Sequence, residues 1–404
     1  MPSFKIKTMK LAVLGGKKVI AHPLFYPWPN VTKEETSALV KKFQTIGFNN
    51  YKLDSDIKDF EKQFAKYTGT KYCFTLNSGT AAIFSALIAC NLKPADNVIV
   101  PAYSFFSAAT AVKNAGAKIK FCDVDINTFN VDPKSFQEQI DKNTRAIIVV
   151  HMFGNPCDMD NINKIAKKNN IIVIEDACQA HGSVYRNKKV GNLGDIAAFS
   201  FHISKNLPVM EGGAVVTNNV SLRDRAASTG LFPNYLDQNH TVMGHNFKFN
   251  GLFAKIARLR LKKLDFYNRK KQENISYLTK KIRKYEYIIP QKKTKDSIPF
   301  NSMFVFRLDK EKLCWPGSLE DLRNRFLLAL NCEGVNCGVW ANRTVPEMGF
   351  FDIKNKNFPN SEKIAKSTIY VSGLHYPNSK KQVDQIAKAF EKIDENIDEL
   401  AKIK

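Results

Sequence analysis

Lys205 and Asp176 are the residues of this sequence with the clearest chemical promise. A lysine amine held in a partly apolar site gives up its proton easily and can add to an aldehyde as a Schiff base. A carboxylate beneath a nitrogen heterocycle keeps that nitrogen protonated. Both residues follow strand-like runs. Ile171 to Ile174 is apolar, β-branched and too short for a helix, and Glu175 and Asp176 come next. Ile196 to Phe201 is a second such run, with Lys205 a few residues beyond it. In an open α/β sheet, ligands bind at the carboxyl edge of the strands.

The surrounding residues make a longer pattern. It reads E-D-A-C-Q-A-H-G from Glu175, V-G-N-L-G-D-I-A-A-F-S-F-H-x-x-K-N from Val190, and E-G-G from Glu211. This resembles the pyridoxal-phosphate sugar aminotransferases of the DegT/DnrJ/StrS family in both residue type and spacing. The resemblance implies two catalytic residues: Lys205, forming the internal aldimine with pyridoxal 5'-phosphate (PLP), and Asp176, binding the pyridine nitrogen. It implies that Gln179 approaches the phenolic oxygen and that Ser200 binds the phosphate. His202 stands where the family often has an aromatic residue or a histidine. Pro208-Val209-Met210 departs from the small residues usual before E-G-G.

Three other segments join this set. Tyr72 to Leu76 reads as a strand, followed by Asn77-Ser78-Gly79-Thr80 and the alanine-rich helix that starts at Ala81. A helix N-terminus with glycine suits an anion, although an ordinary helix cap uses the same residues. The resemblance assigns Gly79 and Thr80 to the cofactor phosphate. After the strand Asn97 to Val100, Pro101-Ala102-Tyr103-Ser104-Phe105 resembles the family's P-x-x-T-F/W, which makes Phe105 the residue stacked on the ring. Gly244-His245-Asn246-Phe247-Lys248 resembles G-x-N-Y-R, in which the asparagine reaches the neighbouring subunit's phosphate. That implies a homodimer with shared sites. Lys248 replaces the usual arginine and cannot copy a bidentate contact. His151, at the end of another strand, is expected to be structural.

The elements needed to hold these residues can be read from pattern. Strand runs at Ala117 to Asp123 and Arg145 to Val150, and helices near Pro133–Ile140 and Asp158–Lys168, alternate as a parallel sheet requires. The family likeness makes this a fold-type-I α/β architecture, with a mostly parallel seven-stranded sheet and a smaller C-terminal α+β domain. The expected division is an N-terminal arm over 1–50, a large domain over 51–285 and the small domain over 286–404. Leu11 to Leu14 reads as a short strand, and Val31-Thr32 begins a helix carrying Leu39, Val40 and Phe43. The arm's Pro27-Trp28-Pro29 resembles the family branch acting on cyclitol-like ketones. Residues 251–285 read as one long basic helix with a solvated face. Val335 to Trp340 reads as a strand and Lys381 to Leu400 as the last helix.

With 404 residues, 44% of them hydrophobic, the chain can bury two cores. The net charge of +23 raises the question of nucleic acid, but the lysines are scattered and not gathered in one arm. The eight cysteines lie mostly in apolar segments and imply neither a disulfide framework nor a zinc site. LAVLGG is too short for a signal peptide and is followed at once by Lys17-Lys18, and no run reaches the ~18 apolar residues of a membrane span. A cytoplasmic protein without metal, membrane or nucleic-acid partner is expected. The implied reaction moves an amino group from glutamate or glutamine, through pyridoxamine phosphate, to a nucleotide-linked keto sugar or a cyclitol. Two alternatives are a PLP sugar dehydratase, whose relatives replace the lysine by histidine, and a non-catalytic basic binding protein.

Overall fold

The computed structural model describes residues 9–21, 25–44, 54–230, 243–351 and 357–403. In chain order the larger elements begin with α1 (Lys33–Phe43), α2 (Ser55–Thr68), β1 (Tyr72–Leu76), α3 (Gly79–Ala89), β2 (Asn97–Pro101), α4 (Ser107–Asn114) and β3 (Lys118–Cys122). Next come α5 (Pro133–Glu138), β4 (Thr144–Val150), α6 (Met159–Lys168), β5 (Ile172–Asp176), the short strands β6 (Val184–Tyr185) and β7 (Lys188–Lys189), β8 (Ile196–Ser200) and β9 (Gly213–Thr217).

Seven of these strands form one sheet in the order β1-β9-β8-β5-β4-β2-β3. Only β9 runs against the others, since its pairings to β1 and to β8 are both antiparallel. The β8-β5, β5-β4, β4-β2 and β2-β3 pairs are parallel. The carboxyl ends of the six co-directional strands therefore share one edge. That edge carries Gly79 after β1, Phe105 after β2, Asp176 on β5, and Ser200 and Lys205 from β8. The strands read as continuous apolar runs because both faces are covered. Ile196 and Ala198 pack into one cluster with α3, whereas Ala197 and Phe199 pack into another with α2.

The chain continues through α7 (Val220–Gly230), α8 (Gly251–Leu261), α9 (Leu264–Ile282), β10 (Ile288–Pro290), β11 (Ser297–Ile298), β12 (Phe304–Leu308), α10 (Leu319–Cys332), β13 (Cys337–Gly338), α11 (Pro359–Ser367), β14 (Thr368–Val371) and α12 (Lys380–Asp394). A second, antiparallel sheet has the order β10-β12-β14-β13. Its core joins α9, α10 and α12 and also takes in Leu11 and Ile20 from the chain's beginning. A buried ion pair, Lys392 to Glu333 at 2.8 Å, helps anchor that beginning, because Glu333 also accepts the amides of Ala12 and Val19.

Several expectations need correction. Ala12–Leu14 is a single 3-10 turn closed by Gly15 at φ 94°, not a strand. The expected strand from Val335 is only Cys337–Gly338, and the last helix ends at Asp394, before a 3-10 turn. The long basic helix is two helices that break at Lys262-Lys263. Its basic face is not simply solvated. Arg260 bonds Glu35 of α1 at 2.6 Å, Arg258 bonds Asp56 of α2, and Lys263 bonds Glu34 at 2.8 Å. Cations of α8 and of the α8–α9 break fasten α1 and α2. Most of the loop expected over 230–250 lies outside the described residues.

Candidate active site

Asp176 ends β5 almost fully buried, and its Oδ1 accepts the Cys178 amide at 3.1 Å. Burial pushes its carboxyl above the ordinary range, opposed by the Cys178 hydrogen bonds and by the fields of Lys205 and His151. No described cation forms an ion pair with it. A buried carboxylate left in that condition suits a cationic ring nitrogen. Its neighbour Glu175 is differently placed. It accepts the amides of Gly191, Leu193 and Gly194 at 2.8, 2.7 and 2.7 Å, and meets His151 Nε2 at 3.0 Å. His151 Nδ1 accepts the Cys157 amide, so the ring proton sits on Nε2 and donates to Glu175. This pair ties two loops together.

The anion-binding features gather one strand away. Ser78 caps α3, its hydroxyl accepting the Ala81 amide at 3.1 Å. The first amides of the helix, at Gly79 and Thr80, precede the intrahelical ladder and point out of its end. A Cβ on Gly79 would stand 2.6 Å from the Cβ of Ser200 and 3.0 Å from Cys178 Sγ, so only glycine permits this approach. Gly213 lies between Leu76 and Ser200 in the sheet, and a Cβ there would meet the Ser78 carbonyl oxygen at 2.2 Å. Two glycines thus bring the α3 N-terminus onto Ser200. Thr80 is exposed and Ser200 is buried, which gives the cup a floor and an open side.

Lys205 follows in a tight loop. Its amide donates to the His202 carbonyl at 2.9 Å, and its own carbonyl accepts Trp28 Nε1 at 3.1 Å. Lys205 and Gln179 line a cleft of about 740 Å³, together with Trp28, Lys271, Trp340 and His375. Gln179 Oε1 accepts the Phe153 amide at 2.9 Å, which leaves the side-chain NH2 for the cleft. His202 is half-buried and bonds Ser204 at 2.9 Å. The irregular Pro208-Val209-Met210 stretch is held by Arg260, which donates to the Pro208 carbonyl at 2.7 Å.

Lys205, Asp176, Gln179, Gly79 and Ser200 therefore converge. Of the expected site residues Lys205 and Gln179 line the cleft, whereas Gly79, Thr80, Asp176 and Ser200, like Phe105 and Asn246, lie outside its lining. Phe105 is half exposed, 4.4 Å from the Phe106 ring and 6.3 Å from Trp340. Asn246 is exposed on a segment beside the end of β1, where the Phe247 carbonyl accepts the Asn77 amide at 2.7 Å. Sequence reasoning gave Trp28 no role in the site and passed over Lys271, Trp340 and His375. Trp28 alone carried a signal, in its flanking prolines.

A model of the DegT/DnrJ/EryC1/StrS aminotransferase family matches residues 31–391. The chain belongs to that family. A dTDP-3-amino-3,6-dideoxy-alpha-D-galactopyranose transaminase of Aneurinibacillus thermoaerophilus is 37% identical to this aminotransferase over 263 residues, 65% of this chain and 72% of its own. An L-glutamine:2-deoxy-scyllo-inosose aminotransferase of Streptomyces lividus is 30% identical over 326 residues, 76% of each chain. Four other curated relatives are matched over 52% to 63% of their own length. Among solved structures, an aminotransferase from Psychrobacter cryohalolentis superposes with a TM-score of 0.83 at 26% identity, covering 92% of this chain and 99% of its own. The cofactor of this family is PLP. The residues present fit it: an amine at Lys205, a carboxylate at Asp176 that no described cation ion-pairs, and an anion cup at Gly79 and Ser200. No helix among the described residues is long and apolar enough to cross a membrane.

Proposed function

We propose that this aminotransferase moves an amino group from glutamate or glutamine to the ketone of a nucleotide-linked sugar or a cyclitol. The observation that carries the reading is the placement of Lys205 in the field of a buried Asp176 with which no described cation forms an ion pair. The acceptor class rests on the two relatives named above, one acting on a dTDP-sugar and the other on a cyclitol.

When bound, PLP supplies an aldehyde that carries nitrogen and a ring that accepts electrons. The protein's part is to bind, orient and move protons. Gly79, Thr80 and Ser200 would hold the phosphate and Gln179 would donate to the phenolic oxygen; Phe105, assigned to a ring face, would have to reach it from outside the cleft lining. Asp176 keeps a proton on the ring nitrogen. Lys205 Nζ would hold the cofactor and, once released, would take the proton from the donor's α-carbon and pass it on as the base of a 1,3 proton shift.

Asn246 is assigned to a neighbouring subunit's phosphate in a homodimer, a role supported by its exposed position beside the end of β1. A cytoplasmic location is supported by free cysteines, several with thiols that burial pushes up and makes inert. An arm, a large unit over 51–285 and a small unit over 286–404 is the proposed division, supported by the seven-stranded sheet falling within the first range and the four-stranded sheet within the second.

The test is a spectrum of the purified protein, followed by its bleaching with glutamate against glutamine and a screen of keto sugars and cyclitols. A cofactor band that bleaches with one donor, and is lost with turnover in Lys205→Ala, is expected. Full turnover by Lys205→Ala overturns the proposal.

A further inference from the structure

Lys271 of α9 is the other amine of the cleft. Only 7% of its surface is exposed, yet it lines the same cavity as Lys205 and Gln179. Its Nζ donates to Asn206 Oδ1 at 2.7 Å and to the Ser302 carbonyl at 3.2 Å, and lies 5.0 Å from the Trp28 ring centre. Those partners are all neutral. No carboxylate among the described residues pairs with it. An ammonium has three N–H groups, so one is left over. Ser302 presents a buried hydroxyl with no partner and lines the cavity beside it. Two histidines feel its field: His375, which also packs on Trp28 and which burial draws down to about 4, and His181, which burial draws down to about 3, so both stay neutral.

A buried ammonium without a counter-ion is costly. Burial alone draws Lys271 down to about 7. A structural tie to two neutral acceptors does not require a charge. A pocket that receives an anion from its ligand does require one.

We propose that Lys271 and the Ser302 hydroxyl form a subsite for an oxyanion, carboxylate or phosphate, carried by a substrate of the Lys205 cleft. This rests on the aminotransferase reading and extends it: one of the two substrates is anchored by its negative group on α9 while its reacting carbon faces Lys205. The carboxylate of the amino donor and a phosphate of the acceptor share this chemistry.

The test uses the cofactor-loaded enzyme, in which the cup at Gly79 is filled, titrated calorimetrically with glutarate and with inorganic phosphate. The native enzyme is expected to bind at least one of them. Lys271→Met is expected to weaken that anion by about tenfold or more, the size of one charge-assisted hydrogen bond, while Lys271→Arg restores most of it. Loss of glutarate assigns the subsite to the donor, and loss of phosphate assigns it to the acceptor. Ser302→Ala removes only an unpaired hydroxyl and keeps the test open should Lys271→Met not fold; it is expected to weaken the same anion by about threefold. A native enzyme that binds neither anion overturns the inference, as do Lys271→Met and Ser302→Ala proteins with native affinities. Absence of a cofactor band from the native enzyme would instead count against the aminotransferase reading itself.

Discussion

Asp176 holds a charge that its surroundings resist. Because its folded pKa is raised, the folded state binds the proton more tightly than the unfolded chain. The stability this carboxyl contributes is present at low pH and fades as pH rises through the raised value. A cationic ring nitrogen reverses that penalty. The melting temperature gained on adding cofactor should therefore grow as pH rises through that raised value, and this growth should vanish in Asp176→Asn. Turnover of Asp176→Asn should fall at least about a hundredfold while the phosphate cup still retains cofactor. A pH-independent gain in the native protein would contradict the assignment. Asp176 and Lys205 were legible in sequence because they share one stretch with fixed spacing. Lys271 was not legible: it sits in a helix whose pattern is that of any basic amphipathic helix, and only the fold turns its amine inward.

At the scale of elements, β1 and α3 matter for where they put backbone. Gly79 is pressed on Ser200, so Gly79→Ala should push Ser200 out of place and cost about 1–3 kcal/mol from overpacking alone. Cofactor affinity should fall further than that stability loss, and equal binding by equilibrium dialysis would remove the cup from the assignment. The junction of α1 with α8 offers a second test. Glu35 is buried; burial pushes its carboxyl up, but hydrogen bonds from Arg260 and Thr32 outweigh that and hold it low. The stability it contributes is present above the ordinary carboxylate range and is lost as pH falls through the lowered value. Arg260→Met leaves that carboxylate buried and unpaired, so unfolding by denaturant should show a loss of about 3–5 kcal/mol at neutral pH. The deficit should shrink toward about pH 4, where the isolated carboxyl is protonated. A deficit independent of pH would mean that packing, not charge, holds α1. The strands and most helices were legible because both faces of the sheet are apolar, whereas the α8–α9 break was not: Leu261 and Leu264 keep helical spacing across it, and only Lys262-Lys263 turns the axis.

At the scale of the whole molecule, the proposed site residues do not all face one cleft in a single chain. Asn246 stands exposed beside β1, outside the lining of the Lys205 cleft, and its assigned role needs a second copy of the chain. Mixing two inactive proteins tests this directly. In a hybrid of Lys205→Ala with Asn246→Ala, one site combines both substitutions and the other combines two native residues. Random reassembly from equal amounts should therefore restore about a quarter of native activity if Asn246 acts across the dimer. If Asn246 serves its own chain, each site in the hybrid retains one defect and nothing is restored. The measurement is activity after the mixed proteins are unfolded and refolded together, against each refolded alone. Recovery requires both that the chain pairs and that the segment near residue 246 crosses the boundary. A stable dimer with no recovery would leave the cofactor assignment intact and return Asn246 to a role within its own subunit.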